Sequence, residues 1–324
     1  MSRSPVGNAS RPAYARPPAQ SPPKEDRTPL QIFKTGELAE GYRVLQEIGR
    51  GAASVVYLVQ DPKTKQIWAL KHVAKENDKE QRFLDQAESE FNIASKLDHD
   101  GIRRVERLVK KKSGILSVSE LFVIMELVDG ASIDRSPPKT FEQATDIFEQ
   151  VARAVAYMHK KGFVHADMKP NNVIVDTHGK AKVIDLGQSC AIATVKKRIQ
   201  GTPDYIAPEQ VHRRPITEKT DVYNLGATMY WAVTGQFVPT ALAKEDSLLG
   251  NIDDALMERA KPPHVLNKRV PEMFSQLITD CVEIEPANRP HSMNQVADRL
   301  NLIRAKLLAE AEMRRSGSFR RVDD

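Results

Sequence analysis

Two short apolar runs, Val173-Ile174-Val175 and Val183-Ile184, carry the strongest constraint on how this chain can fold. Asn172 stands immediately before the first run, and Asp185 immediately after the second, thirteen residues further on. Each run is brief, β-branched and bounded by polar residues, which reads as a short buried strand. The segment between them contains Asp176-Thr177-His178-Gly179-Lys180, the residue types of a tight turn. The two runs therefore form a hairpin, and Asn172 and Asp185 lie near each other at its open end. Upstream, His165-Ala166-Asp167-Met168-Lys169-Pro170-Asn171 leads straight into Asn172. In an extended segment alternate side chains share a face, so Asp167 and Lys169 point the same way.

One short stretch thus collects a carboxylate base, an ammonium and two oxygen donors. A phosphoryl group in transfer spreads negative charge over its oxygens, so its catalysis is mostly positioning and placement of cations. Magnesium takes oxygen ligands at about 2.1 Å, commonly one or two carboxylates plus substrate phosphates. Asp185 and Asn172 would supply such oxygens, Asp167 would accept a hydroxyl proton, and Lys169 would meet the moving group. A surface loop rich in Asp and Asn explains any one of these residues; it does not explain the ordered set.

The segment resembles the catalytic loop and metal-binding motif of eukaryotic-type serine/threonine protein kinases, as found in soluble bacterial members. The resemblance extends over about residues 42 to 303 and implies an α+β fold of two lobes. It implies a tail over 1–40, a β-rich lobe over 41–128, a larger helical lobe over 129–313 and a basic tail over 314–324. It also implies ATP and Mg²⁺ as cofactors, and serine or threonine hydroxyls of proteins as acceptors.

The remaining motifs are carried over residue by residue. Gly49-Arg50-Gly51-Ala52-Ala53-Ser54 looks like the glycine-rich phosphate loop, with Ser54 at its third glycine position and Ala53 at its usual aromatic tip. Ile48, Gly49, Gly51, Ser54 and Val56 would then border the nucleotide. A lysine on an apolar strand needs an anionic partner, and Lys71 in Ala69-Leu70-Lys71 is such a residue. By resemblance it holds the α- and β-phosphates and pairs with a helix glutamate. The resemblance implies Glu90, through the family's spacing to the segment Leu97-Asp98-His99; the competitor, Glu88, lies about 200° around the helix from it. Met125 would be the gatekeeper, the backbone of Glu126 and Val128 would read adenine, and Val56, Ala69 and Ile174 would sandwich the ring. Gly201-Thr202-Pro203-Asp204-Tyr205-Ile206-Ala207-Pro208-Glu209 resembles the peptide platform, and its Thr202 would bond the catalytic aspartate. Asp221 would anchor the catalytic loop, and Arg289 would pair with Glu209. Two other readings compete: a small-molecule kinase, disfavoured by residues 201–209, and a non-catalytic scaffold, disfavoured by Lys71, Asp167, Asn172 and Asp185 together.

The resemblance departs from its pattern at two places. Residues 131–139, with Pro137-Pro138, are too short and proline-rich for a full helix after the hinge. Ala166 stands where most relatives have an arginine that binds a phosphate on the activation segment. An alanine cannot do so, which implies a kinase that does not depend on phosphorylation of Thr194 or Ser189.

Outside those motifs the chain reads as follows. Strands are expected at Val55–Val59, Ile67–Val73 and Leu121–Leu127, with a helix over Glu88–Leu97 in the same lobe. Thr140 and Gln143 form a capping box ahead of a long apolar stripe. Helices are expected at 217–234, 270–283 and 292–313. Met1 to about Leu30 has seven prolines and a net charge of +3, and residues 314–324 carry +2, so the body is neutral. The proline-rich start cannot bury enough apolar surface to order itself, and a neutral body argues against nucleic acid as a partner. Two cysteines, Cys190 and Cys281, suit reduced, unpaired thiols. No stretch reads as a signal peptide or membrane span, which makes a cytoplasmic location the expectation. Ser316 and Ser318, beside Arg314-Arg315, are candidate autophosphorylation sites.

Overall fold

The computed structural model describes residues 32–316, apart from 52, 76, 78, 79, 114–116 and 243–253. Its first lobe is one antiparallel sheet in the order β1-β2-β3-β4-β6-β5. The strands are β1 (Leu38–Ala39), β2 (Tyr42–Arg50), β3 (Ser54–Gln60), β4 (Ile67–Ala74), β5 (Val105–Ser113) and β6 (Ser117–Glu126). In β3 burial alternates strictly, as a half-buried strand requires. Val55, Tyr57 and Val59 enter the core with Leu70, Phe122 and Ile124. Helix α1 (Gln81–Ala94) lies on the sheet through Leu84 and Ala87, against Val73 and Leu121.

Three expectations shift here. The helix over 88–97 begins earlier, at Gln81, and ends at Ala94, although Leu97 is buried beyond it. Strand β5 was not foreseen: Lys110-Lys111-Lys112 give it a polar texture, and it sits at the sheet edge where solvent tolerates them. The tail does not extend to residue 40. Ala39 is fully buried, β1 pairs with β2, and the Phe33 ring stacks edge-on against Tyr57 and Phe122, so apolar contacts hold residues from 33 onward. The first thirty residues and Ser318 lie outside the described residues.

After β7 (Ala131–Ser132), where the short proline-containing segment makes no helix, the second lobe begins with α2 (Phe141–Lys160). The Thr140 hydroxyl accepts the Gln143 N–H, as a cap should, but the Gln143 side chain turns to the Lys139 N–H rather than to Thr140. Next come β8 (Phe163–Val164), β9 (Val173–Val175), β10 (Ala181–Val183) and β11 (Cys190–Ala191). The remaining helices are α3 (Pro208–Val211), α4 (Glu218–Thr234), α5 (Pro263–Leu266), α6 (Glu272–Cys281) and α7 (Met293–Arg315). Helix α4 is buried nearly all round, Thr217 caps its start and Gly235, at φ 71°, ends it in the left-handed conformation. The main core joins α2, α4, α6 and α7 to the hairpin strands. The architecture is α+β in two lobes, with the hairpin at their junction. No helix among the described residues is long and apolar enough to cross a membrane.

Candidate active site

The expected hairpin forms, with Val173 opposite Val183 and Val175 opposite Ala181. Asp176 closes its turn by accepting the N–H groups of His178 and Lys180. At the other end the Ile184 N–H donates to the Asn172 carbonyl at 3.0 Å, which brings Asn172 and Asp185 together.

The loop ahead of the hairpin is held from below by Asp221, in the first turn of α4. Its fully buried carboxylate accepts the His165 N–H at 2.8 Å, the Ala166 N–H at 2.7 Å and a bond with His159 Nε2 at 2.8 Å. Burial alone would raise this carboxyl's pKa; the His159 and His165 interactions outweigh burial and lower it. The two N–H groups converge because Ala166 takes φ 61°, a left-handed conformation that costs an alanine roughly 1–2 kcal/mol.

Above this anchor Asp167, Lys169 and Thr202 form a closed triangle. The Thr202 hydroxyl donates to Asp167 Oδ1, Lys169 Nζ donates to Asp167 Oδ2, and Lys169 Nζ also donates to Thr202 Oγ1, each at 2.8 Å. Asn172 donates its amide nitrogen to the Asp167 carbonyl at 2.9 Å, which leaves its amide oxygen as the atom it can offer a cation. The triangle can take a hydroxyl proton on a carboxylate while keeping a positive charge beside it.

The wall opposite comes from the first lobe. Lys71 on β4 donates to Glu90 Oε2 at 2.7 Å, whereas Glu88 turns away to Lys110 on β5. Burial pushes the Lys71 pKa down, but the charges of Glu90 and Asp185 overcome it and leave it raised. Burial likewise pushes the Asp185 carboxyl up, and Lys71, the Gly187 N–H and Arg103 bring it below its ordinary value. Lys71, Ala53 and Ser54 line a cavity of about 190 Å³ together with Phe83, Gln86 and Ala87 of α1. In the turn over it the Gly51 N–H bonds the Ser54 carbonyl at 2.8 Å, and a Cβ on Gly51 would stand only 2.8 Å from Ser54 Oγ. The sheet register sets Gly49 opposite Val56, Val56 opposite Lys71 and Ala69 opposite Met125. Met125 and Ala69 are buried, while Ile48 is exposed at the lip. The Glu126 N–H is taken by the Arg104 carbonyl at 2.9 Å, so any ligand contact from the Glu126 backbone would use its carbonyl. Ile174 lies on β9, opposite Ser132 of β7, the strand that the linking segment through Val128 leads into.

The platform segment 201–209 docks through buried polar bonds. Gln210 donates to the Ala166 carbonyl at 2.8 Å, and Asn224 donates to the Tyr205 carbonyl at 2.7 Å. Glu209 and Arg289 make a two-pronged pair at 2.7 and 3.0 Å with both side chains buried.

Three residues of the site escaped the sequence reading. Gly130 admits no side chain, since a Cβ there would lie 2.4 Å from the Val175 carbonyl oxygen; a glycine after an apolar strand carries no signal of that. Gln210 links the platform to the loop. Arg103 stands 3.7 Å from Glu90, and nothing in Ile102-Arg103-Arg104 distinguishes it from a solvated arginine.

Comparison with known proteins places the chain among its relatives. The chain is 28% identical over 295 residues to a probable serine/threonine-protein kinase of Clostridium acetobutylicum, covering 89% of this chain and 43% of that one. It is 26% identical over 291 residues to the serine/threonine-protein kinase PrkC of Bacillus subtilis, covering 84% and 43%. It is 28% identical over 276 residues to the serine/threonine-protein kinase PknA of Mycobacterium tuberculosis, covering 83% and 62%. The chain therefore spans about half the length of these relatives. The two lobes, the hairpin at their junction and a match to the protein kinase domain profile over residues 42–300 lead to one conclusion: this chain belongs to the protein kinase domain family.

Proposed function

We propose that this chain is an ATP- and magnesium-dependent protein serine/threonine kinase. The observation that carries the reading is the triangle of Asp167, Lys169 and Thr202. A carboxylate bonded by a threonine hydroxyl and a lysine ammonium is oriented to accept a proton from an incoming serine or threonine. The lysine supplies positive charge where the transferred group passes. Lys71, steadied by Glu90, would hold the phosphates, with the loop of Gly49, Gly51 and Ser54 bordering them. Ile48, Val56, Ala69, Met125 and Ile174, with the backbone of Glu126 and Val128, are read as the adenine pocket. The cation donors are one carboxylate, Asp185, and one amide oxygen, Asn172. Among the described residues no cluster of three or more His, Cys, Asp or Glu could hold a metal alone. A sparse, hard, all-oxygen set suits magnesium sharing its sphere with phosphates and water. Bound there, magnesium would neutralise charge on the phosphates. The names of the relatives support a protein acceptor and its serine/threonine class. Residues 33–128 and 129–313 are read as the working lobes, with the cytoplasm as the site of action.

The reading includes independence from activation-segment phosphorylation. Ala166 is buried with Val164, Cys190 and Ile216, where an arginine would have to displace apolar side chains. The segment is also held by its own backbone: β11 pairs with β8, the Ala193 N–H bonds the Ile216 carbonyl at 2.7 Å, and the Ile216 N–H bonds the Thr194 carbonyl at 2.9 Å. Burial pushes the Cys190 thiol pKa up, which fits a packing role.

The test is phosphoryl transfer from γ-labelled ATP with magnesium to a generic basic protein, beside Asp167→Asn. Label on serine or threonine, reduced by at least about a hundredfold in the variant, is expected. Label only on small molecules, or label indifferent to Asp167, would overturn the reading.

A further inference from the structure

Glu90, buried, and Asp185, half-buried, are two carboxylates that border one point: a Cβ on Gly187 would lie 3.0 Å from Asp185 Oδ1 and 3.8 Å from Glu90 Oε2. Two such groups repel unless cations stand between them. Lys71 is one, bonded to Glu90 Oε2 at 2.7 Å. The second is Arg103, whose Nη2 stands 3.7 Å from the other oxygen, Oε1, with the side chain only 17% exposed. Its charge also contributes to the lowered Asp185 pKa.

What separates Arg103 from Lys71 is its backbone. Ile102 bridges Val183 in parallel, the Arg103 N–H donates to the Val183 carbonyl at 2.8 Å, and the Val183 N–H returns to the Gly101 carbonyl at 2.8 Å. Arg103 is therefore fastened to β10, the strand that runs into Asp185, while its guanidinium reaches α1. Lys71 ties α1 only to the sheet of its own lobe. We propose that Arg103 is a positioning residue that locks α1 to the strand carrying Asp185, keeping the Lys71–Glu90 pair closed without a phosphate on the activation segment. The proposal rests on the kinase reading above and names a regulatory device within that site. A guanidinium suits the task because its charge persists at every working pH and its planar fork can face one carboxylate while lying beside another.

The test uses the full chain with Arg103→Gln, Arg103→Lys, Glu90→Gln and the Glu90→Gln/Arg103→Gln double variant, beside the unaltered protein and Asp167→Asn. Two readouts are taken: kcat/KM for ATP, and amide hydrogen exchange over residues 81–94 without nucleotide. Arg103→Gln should lower kcat/KM by about threefold to thirtyfold and speed exchange in α1 while exchange in α4 stays unchanged. Arg103→Lys should recover part of both. In the Glu90→Gln background Arg103→Gln should add nothing, because the partner is already gone. Additive losses in the double variant, or α1 exchange unmoved by Arg103→Gln, would overturn the proposal. If Arg103→Gln does not fold, an Arg103→Lys protein whose α1 exchange is faster than in the unaltered protein but slower than in Glu90→Gln supports the lock, and one whose α1 exchange equals that of the unaltered protein overturns it. Absence of transfer in the unaltered protein would count against the kinase reading alone, since the exchange arm needs no turnover.

Discussion

Asp221 accepts the backbone N–H of Ala166 at 2.7 Å, and Ala166 presents that N–H from a left-handed conformation, φ 61°. A residue on helix α4 thus dictates the backbone of the loop that carries Asp167. The small side chain at 166 suits a position that is both left-handed and 2% exposed.

Asp221→Asn keeps the shape but replaces one acceptor oxygen by a donor facing N–H groups. Loss of stability on the order of 3 kcal/mol is expected. The pH dependence follows from the sign of the shift. The folded pKa is lowered, so the contribution is fully present above the unfolded value near 3.9 and is lost as pH falls through the folded value. Urea midpoints should show a gap between the two proteins that is constant from about pH 7 to 5 and narrows below about 4. A gap that closes between pH 7 and 5 contradicts this.

The activation segment is held by strand pairing and apolar contacts. Thr194→Ala and Ser189→Ala together should therefore retain activity within about tenfold, a barrier change under roughly 1.4 kcal/mol. Ala166→Arg should lower the thermal midpoint, at a cost of about 2 kcal/mol or more, since a charged side chain must enter the cluster of Val164, Cys190 and Ile216. Restored dependence on a phosphate in Ala166→Arg would contradict the packing argument.

Arg289 is fully buried at its side chain and feeds five bonds, two to Glu209 and three to the carbonyls of Glu283, Lys219 and Ile284. Arg289→Met leaves the Glu209 carboxylate buried and half-paired, held then only by Thr220. Destabilisation of about 3–5 kcal/mol is expected. Adding Glu209→Gln should recover part of it, because the unpaired charge is removed. Denaturant unfolding of the three proteins measures both effects; a double variant no better than the single would argue against the charge as the cause.

Much of the candidate site was legible because its chemistry is local. The hairpin from Val173 to Val183 needs only apolar runs and a turn. Its consequence, Asn172 beside Asp185, follows from register. The capping role of Thr140 was equally local, while the far end of that motif moved to the Lys139 N–H, a choice made by loop geometry. Strand β5 was missed because three lysines masked its pattern, and Phe33 was missed because a lone aromatic in a polar tail says nothing about its neighbours.

By itself the sequence determined which groups are available, that Asn172, Asp185 and the Asp167–Lys169 pair fall within one short stretch, and which strands and helices alternate around them. Those are properties of spacing and side-chain type, and they survive without knowledge of packing. Only the tertiary structure decided that Arg103 joins Lys71 and Glu90, that Glu88 turns instead to Lys110, and that Asp221 meets Ala166 in a left-handed conformation. The reason is that a buried charge takes its partner from across the fold. For Arg103 that choice depends on which elements pack together, and nothing in its local sequence encodes it.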